Sequence, residues 1–219
     1  MKAYVITIKD LPKSVEAATR CIQSAFPMKV DMFDAITPKD NPLEILEKEG
    51  LPLETFREKY SYLENCVSAF LSHYSLWKKC VEDNEEYMIF EHDAVCVGEI
   101  PEFIMYDKVI NLGAPSYGKF NTPSQLGVNP LTSKAYFPGA HAYRLKPKGA
   151  KELIARAKID PCTTDVFLRL DRFPWLQEYY PWPCIAKDEF TTLQNTNGIQ
   201  AKHGYAKKKE KYQIVRDFE

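Results

Sequence analysis

The chain has 219 residues, enough for one large α/β domain or two small ones. Hydrophobic residues make up 45% and charged residues 27%, and the formal net charge is −1. That is ordinary globular composition, and the whole molecule offers no electrostatic case for binding nucleic acid or a membrane surface. The six cysteines, Cys21, Cys66, Cys80, Cys96, Cys162 and Cys184, include no Cys-x-x-Cys pair. Their scatter argues against a structural zinc site and a dense disulfide framework. The first apolar run is cut at Lys9-Asp10, too early for a signal peptide, and no run of about 18 apolar residues exists to span a bilayer. The sequence reads as a soluble, reduced, cytoplasmic protein.

Residues 3–8 read as a buried first strand, broken by Lys9-Asp10-Leu11-Pro12. Residues 13–25 follow as a helix, with Val15, Ala18, Cys21 and Ile22 at helical spacing. Met28 to Phe33 reads as a second strand. Strand, helix, strand is a βαβ opening and favours a parallel sheet. Residues 39–60 are charged and proline-punctuated, with room for a short helix or two. Residues 62–82 form the clearest helix: Val67, Phe70, Leu71, Tyr74, Trp77, Lys78 and Val81 keep the 3, 4, 7 pattern, and a second stripe holds Cys66, Ala69, His73, Leu76 and Cys80. Strands are expected at 87–90 and 108–112. Residues 113–135 read as a long loop, and 135–143 as strand, break, strand. A helix is expected from Lys148 to Lys158, and a further one beginning at Asp165, capped by Thr163 or Thr164. Lys202, Lys207, Lys208, Lys209 and Lys211 make the tail basic.

Glu91-His92-Asp93 follows the apolar run Tyr87-Met88-Ile89-Phe90 directly. In a continuing strand, residues 91 and 93 face the same side, so both carboxylates could aim at one point off the sheet edge while His92 points away. Ligands of open α/β sheets bind off the carboxyl ends of strands, and a hard divalent cation with a diphosphate would suit two acids there. A polar turn after a strand is the plainer reading. Asp34-Ala35 closes the second strand, where nucleotide-binding sheets often present an acid to a ribose.

Ser72-His73-Tyr74-Ser75-Leu76-Trp77, the strand into Glu91-His92-Asp93, Gly139-Ala140-His141-Ala142-Tyr143, Lys146-Pro147-Lys148-Gly149-Ala150 and Thr164-Asp165-Val166-Phe167-Leu168 together resemble glycosyltransferase family 25, in the family's order. The likeness runs from Tyr4-Val5-Ile6 and Phe33-Asp34-Ala35 to about residue 185. His92 stands where the family commonly has a middle acid, and Ser68-Ala69 and Thr7-Ile8-Lys9-Asp10 also depart from its pattern. The resemblance implies an α/β fold of the GT-A type: a Rossmann-like nucleotide-binding fold with a mixed central sheet flanked by helices. The single domain of residues 1–219 would hold a nucleotide-sugar half (1–112), an acceptor half (113–200) and a basic tail (201–219).

By that resemblance the activity is inverting, metal-dependent transfer of a hexose, galactose or glucose, from a nucleoside diphosphate sugar such as UDP-hexose. The acceptor is a glycan, glycolipid or protein hydroxyl, and lipooligosaccharide biosynthesis is the expected setting. Asp93 and Glu91 are the expected manganese ligands. Ile6, Thr7, Asp34, Ala35, His73, Glu91, Gly139 and His141 are expected around the donor, and Asp165 as general base. Trp175, Tyr180 and Trp182 could stack on acceptor sugar rings or form a proline-fixed core corner. The alternative on the same scaffold is a module that holds a glycan or partner without transferring sugar. The basic tail offers a weaker reading, attraction to an anionic glycolipid or nucleic acid.

Overall fold

The computed structural model describes residues 1–57, 61–187, 189–193 and 210–211. Its centre is a seven-stranded mixed sheet. β1 (Lys2–Thr7) leads through α1 (Pro12–Ser24) to β2 (Asp31–Asp34). α2 (Pro42–Lys48) and the long α3 (Leu63–Asp83) precede β3 (Tyr87–Glu91) and β4 (Ala94–Cys96). The later chain supplies β5 (Val109–Asn111), β6 (Gly127–Pro130), β7 (Ala142–Leu145), α4 (Pro147–Ala157), α5 (Thr164–Phe167), β8 (Gln177–Tyr180) and β9 (Cys184–Ala186). A short pair, β10 (Phe190–Thr191) with β11 (Glu210–Lys211), stands apart. The remainder of the basic tail lies outside the described residues.

In the main sheet the order is β2-β1-β3-β7-β5-β8-β6. β1 pairs in parallel with β2 and β3, β7 runs antiparallel to β3 and β5, β8 runs parallel to β5, and β6 antiparallel to β8. The expected βαβ opening is present, and strands from both halves of the chain share one sheet.

Alternation along the strands divides the core between the two sheet faces. Tyr87 and Ile89 of β3 join Ile6, Tyr143 and Leu145 in a cluster with α3, α4 and α5. Met88 and Phe90 join Ala3, Val5, Ile110 and Ala142 in a second cluster with Ala18 and Cys21 of α1. Tyr87 to Phe90 are all fully buried, as a strand covered on both faces requires. Proline occupies the first turn of α1, α2 and α4, where its missing N–H costs no helical bond. On α3, Val67, Phe70, Leu71, Tyr74 and Trp77 are buried, and the helix ends at Asn84 in the left-handed region, a common helix stop.

Some expectations shift. The second strand starts at Asp31, not Met28, because Met28 N donates to Ala25 O and closes a turn first. The stretch 113–135 is not wholly loop, since it contains β6. Residues 135–137 make only an isolated bridge, Tyr136 with Arg169, before the chain turns through Gly139 and Ala140 at positive φ. α5 is four residues long, and Thr163 at its N-cap makes no side-chain capping bond.

Candidate functional site

β2 lies on one side of β1 and β3 on the other, so strand order reverses at β1. Chains diverging from such a reversal leave a crevice off the carboxyl ends of the strands. A cavity of about 80 Å³ opens there. Ile6 and Ile8 come from the end of β1, Ala35 to Pro38 from the exit of β2, Glu91 and His92 from the end of β3, and Ser72 and His73 from α3. That volume admits a small group, so a nucleotide-sized ligand would extend out through the mouth. Ser72 Oγ accepts from Ile36 N at 2.9 Å and donates to Ser68 O at 2.9 Å, fixing the β2 exit against α3. Ser14 Oγ accepts from Ile8 N at 2.9 Å and lies 3.1 Å from His92 Nδ1.

A polar chain runs from the core into this cleft. Trp77 Nε1 donates to Tyr143 Oη at 2.9 Å. Tyr143 Oη lies 2.8 Å from His73 Nδ1, and His73 Nε2 lies 3.1 Å from Glu91 Oε1. Since the tyrosine oxygen already accepts from the indole, its hydroxyl proton goes to His73 Nδ1, which leaves Nε2–H to donate to Glu91. Burial holds His73 neutral, pushing its pKa down to about 3 despite the nearby charge of Asp165. Burial, then that same charge, pushes Glu91 up to about 8. The Glu91 side chain keeps 30% exposure, and solvent at the mouth tempers the shift. His73 and Glu91 are thus a neutral hydrogen-bonded pair at neutral pH, not an ion pair. Burial also lowers His92, to about 4.

Asp165 approaches from α5, close enough for its charge to act on both Glu91 and His73. Its carboxylate accepts from Tyr117 Oη at 2.6 Å and from Val166 N at 2.8 Å. Lys134 Nζ sits 4.9 Å from the Tyr117 ring centre and 5.3 Å from that of Tyr136. The arrangement sets a second carboxylate within electrostatic reach of Glu91, which lines the cavity.

Asp93 departs from the expected geometry. β3 ends at Glu91, and residues 92–93 form a turn, so strand alternation does not carry Asp93 to the side Glu91 faces. Glu91 meets His73 of α3, whereas the charge of Asp93 is felt by Cys21 of α1 and by His141. Asp93 does not line the cavity. Among the described residues no group of three or more His, Cys, Asp or Glu is arranged to hold a metal ion. Glu91 and Asp93 therefore do not turn to one side as a continuing strand would place them.

Gly139 and His141 are not part of the cavity lining, although His141 O accepts from Glu91 N at 2.9 Å. His141 is fully buried, and burial lowers its pKa against the opposing charge of Asp93. Its ring packs so closely on Gly113 that an added Cβ there would come within 2.4 Å of Nε2. Gly139, at φ 94°, makes room for Ser116 and His141, since a Cβ on it would meet Ser116 Oγ at 2.6 Å. Of the other expected donor residues, Ile6, Ala35, His73 and Glu91 meet in the cavity. Thr7 is buried, donating Oγ1 to Val5 O and receiving Ala35 N on its carbonyl, so it supports the β2 exit from behind. Asp34 ion-pairs with Lys9 at 3.0 Å on the surface.

The three aromatic residues expected at the acceptor divide. Tyr180 and Trp182 pack edge to face at 5.1 Å, with Phe120 against Trp182 at 5.7 Å, at the carboxyl end of β8. Trp175 precedes β8, whose first residue, Gln177, pairs with Ile110 of the parallel β5. It therefore sits at the opposite end of the sheet from the cleft, under Lys108 Nζ at 4.9 Å and against Phe173. Sequence reasoning passed over Ser14, Ser72, Tyr117 and Tyr143. Ser72 and Tyr143 stood in quoted motifs without being singled out, and a serine or tyrosine carries no signal until its partner is known.

With this geometry in place, comparison with known proteins gives the class. The family profile described as Glycosyltransferase family 25 (LPS biosynthesis protein) matches residues 1–111, from the start of the chain to the end of β5. The chain belongs to glycosyltransferase family 25. No curated protein matches it. Membership suggests glycosyltransferase activity in LPS biosynthesis and implies a sugar donor and an acceptor in general. Among the described residues no helix is long and apolar enough to cross a membrane.

Proposed function

We propose that the chain transfers a hexose, galactose or glucose, from a nucleoside diphosphate sugar, UDP-hexose first, to a hydroxyl of a glycan, glycolipid or protein. The scaffold on this reading is GT-A-like. The observation that carries it is the convergence, at one strand-order reversal, of a cleft closed by Ile6, Ala35, His73 and Glu91 with Asp165 within electrostatic reach of the last two. Asp165 takes the proton of the acceptor hydroxyl as its oxygen attacks the anomeric carbon. The bond from that carbon to the diphosphate breaks on the opposite face, inverting the centre. Tyr117 Oη and Val166 N both donate to the Asp165 carboxylate and favour its ionised form. A neutral Glu91 spares the diphosphate a repulsive charge, while His73 Nε2–H fixes that carboxyl's orientation.

A panel of nucleotide sugars, screened for transfer and hydrolysis with and without manganese, tests the reading. One donor should turn over, and Asp165→Asn should lower kcat by about 10²-fold or more with donor affinity kept. Unchanged turnover in Asp165→Asn would remove it as base. No turnover and no binding of any nucleotide sugar would favour the glycan- or partner-holding module.

A further inference from the structure

None of the six cysteines is in a disulfide, but two stand apart from the rest. In the β4–β9 ribbon Cys96 lies directly opposite Cys184, with Sγ···Sγ at 3.7 Å. Val97 N donates to Pro183 O at 2.8 Å just beyond them, the bond that flanks a non-hydrogen-bonded antiparallel pair. In such pairs the Cα atoms approach to about 4.5 Å, within the span a disulfide bridges without moving the backbone. Cys184 is fully buried, whereas Cys96 is half-buried and within reach of a dissolved oxidant.

We propose that Cys96 and Cys184 are a reversible redox pair that closes a disulfide across the β4–β9 ribbon. The oxidant is a peroxide or a small disulfide such as oxidised glutathione. With peroxide, Cys96 Sγ attacks an oxygen, the O–O bond breaks, and the first water leaves as a sulfenic acid forms. Cys184 Sγ then displaces the sulfenic hydroxyl, giving the S–S bond and a second water. With a small disulfide, Cys96 forms a mixed disulfide, and Cys184 displaces the second small thiol. In both routes two protein thiols lose two electrons and two protons to the oxidant. The assignment of roles follows from position and charge. The hydrogen bond between the two sulfurs lowers the Cys96 pKa, while that bond and burial raise Cys184, so the more exposed Cys96 is the attacking sulfur. Cys21, the third thiol in this cluster, is buried in α1, and burial raises its pKa. The ribbon's other end carries the turn after β3, where Lys187 N donates to Asp93 O at 2.8 Å, so the bridge would tether that turn from β9. The pair is independent of the sugar-transfer reading.

The test is a disulfide map of the full chain treated with hydrogen peroxide or oxidised glutathione. The protein is alkylated in denaturant and digested without reductant. A Cys96–Cys184 peptide should appear, two of the six thiols should escape alkylation, and dithiothreitol should restore both. In Cys96→Ala, which changes only the half-buried partner, Cys184 should remain alkylated after the same treatment. A Cys21 linkage in place of this one, Cys96 oxidised to sulfinic acid with Cys184 still alkylated, or six alkylated thiols would overturn the proposal.

Discussion

Glu91 shows how burial changes what a residue type does. Its ordinary pKa is 4.5, and in the fold it holds its proton up to about 8. Between those values the folded state binds more protons than the unfolded chain, so stability falls as pH rises and the fall ends near 8. His73 and His92 act in the other direction. Their pKa values drop from 6.5 to about 3 and about 4, so their contribution grows with pH up to 6.5 and is level above it. Among these three groups only the Glu91 slope remains between pH 6.5 and 8. The melting temperature should therefore decline over that interval, and Glu91→Gln, which cannot ionise, should flatten the decline in a calorimetric pH series. An identical decline in the variant would contradict the assignment. Tyr117 gives a sharper residue-scale outcome. Removing one hydrogen bond to a charged group costs about 1.5–3 kcal/mol, equivalent to ~10- to 100-fold in rate. Tyr117→Phe should lower kcat by that factor with the donor KM unchanged, and unaltered steady-state kinetics would separate Tyr117 from the reaction.

Long periodic elements carry most of the fold, and they are the ones readable from sequence. α3 shows this: its apolar stripe places Phe70 against Phe56, Trp77 and Phe167, so one side chain joins three parts of the chain. Phe70→Ala should cost about 3–5 kcal/mol in chemical denaturation, and a loss below ~1 kcal/mol would contradict that packing. β4, β6 and β9 escaped notice because each has three or four residues, too few for a period, and Gly127 and Pro130 bound β6. Strand polarity was equally hidden, which is why Trp175 looked like a neighbour of Trp182 although β8 separates them. The site was readable where side chains sit at the ends of obvious strands: Ile6, Ala35 and Glu91. It was unreadable where partners are remote, as Tyr117 is from Asp165, or where a strand ends two residues short, as before Asp93. Gly113 belongs to the second class, because its need for bare backbone comes from a histidine supplied by another segment. Gly113→Ala should destabilise by about 1–3 kcal/mol through overpacking on His141, and an unchanged unfolding midpoint would show that the ring can move aside.

At the scale of the molecule, the family match ends with β5, yet β7, β8 and β6 continue the same sheet and α5 brings Asp165 back towards Glu91. Residues from both parts of the chain thus meet at the reversal of strand order, where physical reasoning places a ligand. Ala35 is the point at which this can be probed with least harm to the core, since it lines the cavity from a partly exposed loop. Calorimetric titration of UDP-galactose and UDP-glucose into the wild-type chain and into Ala35→Trp is the most direct measurement. Saturable binding of a nucleotide sugar to the wild type, with at least ~10-fold weaker binding to a folded Ala35→Trp, is the expected result. Equal affinity in both chains, or no heat of binding in either, would contradict a nucleotide-sugar site at this cleft.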